Sequence, residues 1–104
     1  MEERLPLVTI MGPTGVGKTD LAISLCKTVS SEIINVDSVQ VYKGMDIGTG
    51  KPSKEILDKY PHNLLSFIDP WKSYSTALFI NDATREIDLC DKSKKVPLLV
   101  GGTM

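Results

Sequence analysis

Short unbroken apolar runs in this chain alternate with stretches where apolar residues return every third or fourth position. Unbroken runs suit strands buried on both faces, and the longer period suits helices laid across them. The first run, Leu7-Val8-Thr9-Ile10-Met11, predicts a strand over about residues 5–11, with Pro6 tolerable near its start. A helix over about residues 17–29 follows, with Leu21, Leu25 and Val29 on one stripe and Ala22 and Cys26 beside it. Glu32-Ile33-Ile34-Asn35-Val36-Asp37 reads as a second buried strand with an acid at its carboxyl end. A glycine-punctuated loop leads to Ser53, which predicts the cap of a short helix with Glu55 in its first turn and Pro61 as its stop. Residues 64–68 predict a short strand ended by Asp69-Pro70, since aspartate before proline favours a turn. Thr76, Phe79, Ile80, Ala83, Ile87 and Cys90 recur at helical spacing and predict a helix over about residues 75–90. Val96-Pro97-Leu98-Leu99-Val100 predicts the last strand. Strand–helix alternation of this kind argues for an α/β fold with a parallel sheet.

Between the first strand and first helix stands Gly12-Pro13-Thr14-Gly15-Val16-Gly17-Lys18-Thr19. This is the G-x-x-x-x-G-K-[ST] phosphate loop in the strand–loop–helix setting it needs. Its glycines let the backbone curl so that successive N–H groups face inward around an anion. The following helix adds unpaired N–H groups and a positive dipole end. Lys18 supplies a full charge, and the Thr19 hydroxyl can ligate Mg²⁺. A polyphosphate or pyrophosphate site is the expectation.

Composition narrows the setting. The 104 residues carry a net charge of −1, so no global basic field announces nucleic acid. Cys26 and Cys90 stand far apart and read as small buried hydrophobes in a reduced, cytoplasmic protein. No apolar run reaches membrane-spanning length, and Met1-Glu2-Glu3-Arg4 lacks a signal-peptide pattern; no membrane and no protein partner are expected. After the last strand, Gly101-Gly102-Thr103 turns and the sequence stops at Met104. The expectation is therefore a truncated domain, its last strand short of a covering helix and partner strands, with an exposed edge.

Open parallel sheets place chemistry beyond the carboxyl ends of their strands. That puts Asp37 across a cleft from Lys18. Two jobs suit a carboxylate there: holding Mg²⁺, or taking a proton from an incoming nucleophile. Ser38 and Gln40 are of a type that reads an adenine edge, and equally of a type found in turns and on solvated surfaces.

The run from Asp37-Ser38-Val39-Gln40-Val41-Tyr42 through Gly44-Met45-Asp46-Ile47-Gly48-Thr49-Gly50-Lys51-Pro52 closely resembles the signature of tRNA dimethylallyltransferases, also called tRNA isopentenyltransferases. The phosphate loop, Pro61-His62-Asn63-Leu64-Leu65, Asp69-Pro70, Tyr74-Ser75 and residues 97–104 extend the resemblance over essentially the whole chain. Gly50 departs from a common alanine and Ser66 from a common acid, both expected outside the chemistry. The resemblance implies a P-loop NTPase-like parallel sheet flanked by helices, the N-terminal part of a nucleotide- or pyrophosphate-binding domain without the helical tRNA-binding region. It implies transfer of a dimethylallyl group from dimethylallyl pyrophosphate to N6 of the adenine 3′ of the tRNA anticodon. By residue, it implies that Asp37 accepts the N6 proton and that Ser38, Val39 and Gln40 help hold the adenine. It also implies that Gly12, Pro13, Thr14, Gly15, Val16, Gly17, Lys18 and Thr19 hold the pyrophosphate, that Thr19 carries Mg²⁺ and that Thr103 touches tRNA. The fragment alone is expected to be inactive.

Other readings stay open on residues alone. The same loop serves small-molecule kinases, and related enzymes prenylate free adenine nucleotides, although the Asp46-Ile47-Gly48-Thr49 run looks more like the tRNA-directed branch. A non-catalytic pyrophosphate-binding module is a third possibility. Asp46 is expected to serve its own loop, and His62, with no second imidazole, a structural role. Trp71 and Tyr74 are expected to pack at the start of a helix, and Lys92, Lys94 and Lys95 to form a solvated connector.

Overall fold

The computed structural model describes residues 7–12, 17–37, 40–44 and 51–101. Along the chain these form β1 (Val8–Met11), α1 (Lys18–Thr28), β2 (Ser31–Asn35), α2 (Lys54–Lys59), β3 (His62–Asn63), α3 (Thr76–Lys92) and β4 (Val96–Gly101). All four strands are parallel in one sheet of order β1-β4-β2-β3. The last strand is therefore central. β4 pairs with β1 from Val8↔Leu98 to Met11↔Gly101 and with β2 from Ser31↔Val96 to Asn35↔Val100. This corrects the expectation that it lacks partners and a cover. The side chains of β4 alternate between two layers. Val96, Leu98 and Val100 join Ile10, Ala22 and Ile33 under α1, while Leu99 packs with Ile34, Cys90, Phe79, Ala83 and Ile87 under α3.

The helices start where local chemistry allows. Ser53 Oγ accepts the Ile56 N–H at 3.3 Å, and Ser75 Oγ accepts the Leu78 N–H at 3.1 Å. Such caps each stabilise a helix by about 1 kcal/mol. α1 has no side-chain cap; Gly17 precedes it at φ 77°, in left-handed backbone that glycine adopts without a Cβ clash. The buried face of α1 is rotated from the expected stripe. Ala22 is fully buried and Leu25 and Cys26 face the core, whereas Leu21 is 51% exposed and Val29 42%. The smallest side chain sits at the closest approach to the sheet, which lets the helix lie near it. In α3, Phe79, Ala83, Ile87 and Cys90 face inward as expected, but Ile80 points outward.

The strand expected over residues 64–68 is displaced. Pairing with β2 involves His62 and Asn63 and ends where Leu64 enters left-handed backbone at φ 61°, followed by Ser66 at φ 52°. Residues 66–68 bond instead to the chain after β2. Ser66 N–H donates to Gln40 O, Phe67 and Ile68 N–H donate to Val41 O, and Lys43 N–H donates to Ile68 O. A parallel bridge joins Tyr42 to Ile68. Asp69 and Pro70 do begin a turn, closed by Lys72 N–H on Asp69 O at 3.0 Å. Trp71 does not pack at the helix start, being 80% exposed. Tyr74 does: its ring meets Phe67 and Phe79 edge to face, and its hydroxyl donates to Asp82. Burial first, and then Asp82, raise the Tyr74 pKa. Lys95 pairs with Glu32 at 3.5 Å, so that end of the basic connector is tied down.

Candidate functional site

Because every strand runs the same way, the carboxyl ends of β1, β4 and β2 open at one end of the sheet. Gly12 follows β1, Gly101 closes β4, and Asp37 stands two residues beyond β2. Between them and the first turn of α1 lies a cavity of about 250 Å³. Its wall includes Gly17, Lys18, Thr19 and Asp20 on one side and Asn35, Asp37 and Gln40 on the other, with Pro52, His62 and Gly101 completing it. The lysine, the hydroxyl, the acid and the glutamine singled out by sequence thus share one space. Pro13, Thr14, Gly15, Val16, Ser38, Val39, Asp46 and Thr103 lie outside the described residues.

Lys18 Nζ donates to Gly12 O at 2.6 Å and to Gly101 O at 2.9 Å. An ammonium has three donors, so these two carbonyls stretch it across the ends of adjacent strands and leave one N–H for an anion. Gly12 N–H also reaches Gly101 O at 3.3 Å. Gly101 must approach this closely: a Cβ there would lie 2.5 Å from Val36 Cγ2 and 3.2 Å from the Val36 carbonyl carbon and oxygen. The N-terminal N–H groups of α1 face the same end, where the helix dipole favours negative charge.

Asp37 Oδ1 accepts the Gln40 N–H at 3.2 Å, which holds the carboxylate at the rim of the cavity. Gln40 is held in turn by its carbonyl, which accepts the Ser66 N–H at 2.9 Å. Thr19 and Asp37 offer a hydroxyl and a carboxylate, hard oxygen donors of the kind Mg²⁺ takes. Among the described residues no three His, Cys, Asp or Glu side chains gather as a metal cage. One or two protein oxygens beside substrate phosphates and water is the usual Mg²⁺ arrangement, so this donor set suits it.

Two residues of the wall, Asn35 and the His62 expected to be structural, are not singled out for the site by the sequence. Asn35, 2% exposed, reads in the sequence only as part of a buried strand; the available signal is a polar side chain interrupting the apolar run Ile33-Ile34-Asn35-Val36. His62 lines the cavity, its Nδ1–H donating to Tyr60 O at 2.8 Å while Nε2 is buried without a hydrogen-bond partner. Burial lowers the His62 pKa, and the bond to Tyr60 opposes this in part. Ser66, expected outside the chemistry, receives Lys51 Nζ at 2.8 Å, while Lys51 also donates to Tyr42 O at 2.6 Å.

The IPP transferase family model matches residues 40–104, and the isopentenyl transferase model matches residues 5–65. This chain belongs to the IPP transferase family. Among solved IPP transferases, the full-length tRNA isopentenylpyrophosphate transferase of Bacillus halodurans shares 47% identity at a TM-score of 0.85, over 93% of this chain and 32% of that one. The tRNA delta(2)-isopentenylpyrophosphate transferase of Staphylococcus epidermidis shares 40% identity at a TM-score of 0.85, over 95% of this chain and 33% of that one. A eukaryotic dimethylallyltransferase acting on tRNA shares 32% identity at a TM-score of 0.82, over 93% of this chain and 24% of that one. The chain spans about a third or less of the length of these IPP transferases. No helix among the described residues is long and apolar enough to cross a membrane.

Proposed function

We propose that this chain forms the pyrophosphate- and adenine-binding half-site of a tRNA dimethylallyltransferase. The reading rests on one observation: Lys18 and Thr19 line the same cavity as Asp37. In the reaction, N6 of the adenine 3′ of the anticodon attacks C1 of dimethylallyl pyrophosphate. The allylic C–O bond breaks, its electron pair leaves with pyrophosphate, and the N6 proton passes to the Asp37 carboxylate. Lys18 and the backbone N–H groups of the loop Gly12, Pro13, Thr14, Gly15, Val16, Gly17, Lys18 and Thr19, proline having none to give, hold the charge that develops on the leaving group. The Thr19 hydroxyl would hold Mg²⁺, which would supply positive charge beside the leaving pyrophosphate. An exocyclic amine stacked in RNA is unreachable, so the adenine must turn out into the cavity, where Ser38, Val39 and Gln40 meet it and Thr103 touches the tRNA. A cytoplasmic setting and a tRNA partner fit this chemistry.

The test uses the complete protein with dimethylallyl pyrophosphate, Mg²⁺ and unmodified tRNA, with free adenine nucleotides as a second acceptor. The expected product is N6-(dimethylallyl)adenosine in tRNA alone. Asp37→Asn should lower kcat by about 10²- to 10⁴-fold while leaving the KM for dimethylallyl pyrophosphate within a few-fold. Absence of prenylated adenosine with the wild-type protein, or an Asp37→Asn variant of full activity, sinks the proposal. Since the chain spans only 32% of the Bacillus halodurans relative, the 104 residues by themselves should show no turnover.

A further inference from the structure

Asn35 does more than end a strand. Its side chain is 2% exposed and makes three hydrogen bonds. Oδ1 accepts the Asp37 N–H at 3.1 Å, and Nδ2 donates both to Asp37 O at 3.1 Å and to Leu64 O at 3.0 Å. Only this orientation of the amide satisfies all three partners, since the reverse would set Nδ2 against an N–H and Oδ1 against two carbonyls. Asp37 is thus gripped at both its backbone N–H and its carbonyl by one buried side chain. With the peptide fixed, few torsions remain between Asn35 and the carboxylate, and Oδ1 of that carboxylate is itself spent on Gln40 N–H.

The third bond carries the grip to a remote part of the chain. Leu64 O belongs to the left-handed bend whose following residues bond to Gln40, Val41 and Lys43. The segment after β2 is therefore pinned at Asp37 by Asn35 and zipped at residues 40–43 to residues 66–68. A buried amide with all its bonds made is worth most where a particular backbone geometry must be held. An apolar residue would otherwise serve at the last position of a parallel strand.

We propose that Asn35 is a positioning residue, which by bonding both backbone groups of Asp37 and the Leu64 carbonyl fixes the bearing of the Asp37 carboxylate on the cavity. The inference rests on the function proposed above, in which that carboxylate takes the N6 proton. A displacement of about 1 Å at such a group costs on the order of 10²-fold in rate.

The test compares Asn35→Ala and Asn35→Ser with wild type in the complete protein, by steady-state kinetics and by amide hydrogen exchange. Asn35→Ala should lower kcat by about 10- to 100-fold with the KM for dimethylallyl pyrophosphate within about threefold. Amide exchange at Asp37 should quicken about tenfold or more, while Leu98 in the sheet centre keeps its protection. Ser keeps an acceptor beside the Asp37 N–H, so Asn35→Ser should recover part of both losses. Unchanged kcat in Asn35→Ala beside an active wild type overturns the proposal. So does a variant in which kcat, KM and the exchange of Leu98 all worsen together, the mark of general destabilisation. Should the wild type transfer no prenyl group, the functional reading fails separately. The bracing of Asp37 is then upheld or refuted by its amide exchange alone.

Discussion

Gly101 shows how little room a single residue can have at this site. It ends the central strand, gives its carbonyl to Lys18, and backs onto Val36 with no space for a methyl group. One of the atoms in the way is the flexible end of a side chain, but the other two are backbone held by the Val36 N–H bond to Val100 O. Gly101→Ala should cost about 1–3 kcal/mol in thermal or urea unfolding of the complete protein. A variant as stable as wild type would show that β2 and β4 can separate at this point. Cys90 is the opposite case, a residue whose chemistry is suppressed. Burial, then its hydrogen bond to Glu32 and the negative charge of Glu32 and Glu86, push its thiol up to about 12. Cys90 should therefore resist iodoacetamide in the folded protein at about pH 8 and react once unfolded, as mass spectrometry would register. Labelling at equal rates in both states would contradict this. The sequence reading of both cysteines as free, packed hydrophobes agrees with the structure, although Cys26 is only half-buried. That Lys18, Thr19 and Asp37 would meet in one cavity was legible from residue type and position at strand ends. The places of Asn35 and His62 in the wall were not, because they depend on long-range links, the Asn35 bond to Leu64 O and the pairing of His62 with Ile33.

At the scale of elements, the periods of apolar residues located the main strands and helices but set their facing less well. A helix of eleven residues such as α1 can rotate by one position with little change in its apolar count, and the small Ala22 then decides which face lies closest to the sheet. Residues 64–68 misled for a different reason. Their apolar content suits a strand, yet two left-handed residues bend them toward the loop after β2, a long-range pairing that local propensity does not encode. This loop pairing also gives meaning to Ser66, where the family resemblance has a common acid. Lys51 already points its ammonium at the Ser66 hydroxyl, and aspartate tolerates left-handed backbone better than most residues. Ser66→Asp should form an ion pair there and stabilise the complete protein by about 0.5–1 kcal/mol, a rise of a few degrees in Tm that shrinks at high salt. A fall in Tm, or a rise indifferent to salt, would mean that the carboxylate does not reach Lys51.

For the whole molecule, stability and assembly both pass through the site. The buried His62 binds protons less readily folded than unfolded, where its pKa is near 6.5. Above that value both states are neutral and the residue adds no pH dependence. As pH falls below it the unfolded chain takes up a proton first, so the folded state loses stability. Between about pH 7 and pH 5 the Tm of wild type should drop further than that of His62→Gln; parallel curves would falsify this assignment. The α/β class and the parallel sense of the sheet were readable from alternation, but the strand order was not, because nothing local says that the final strand lies between the first two. That order has a consequence for how the protein is made. Until residue 101 has left the ribosome, the lysine-bearing loop and the Asp37 segment have no strand between them to set their spacing, since β1 and β2 each pair with β4 and not with each other. Lys18 and Asp37 are synthesised early, yet a late-arriving wedge of chain lies between the strands that carry them to one cavity.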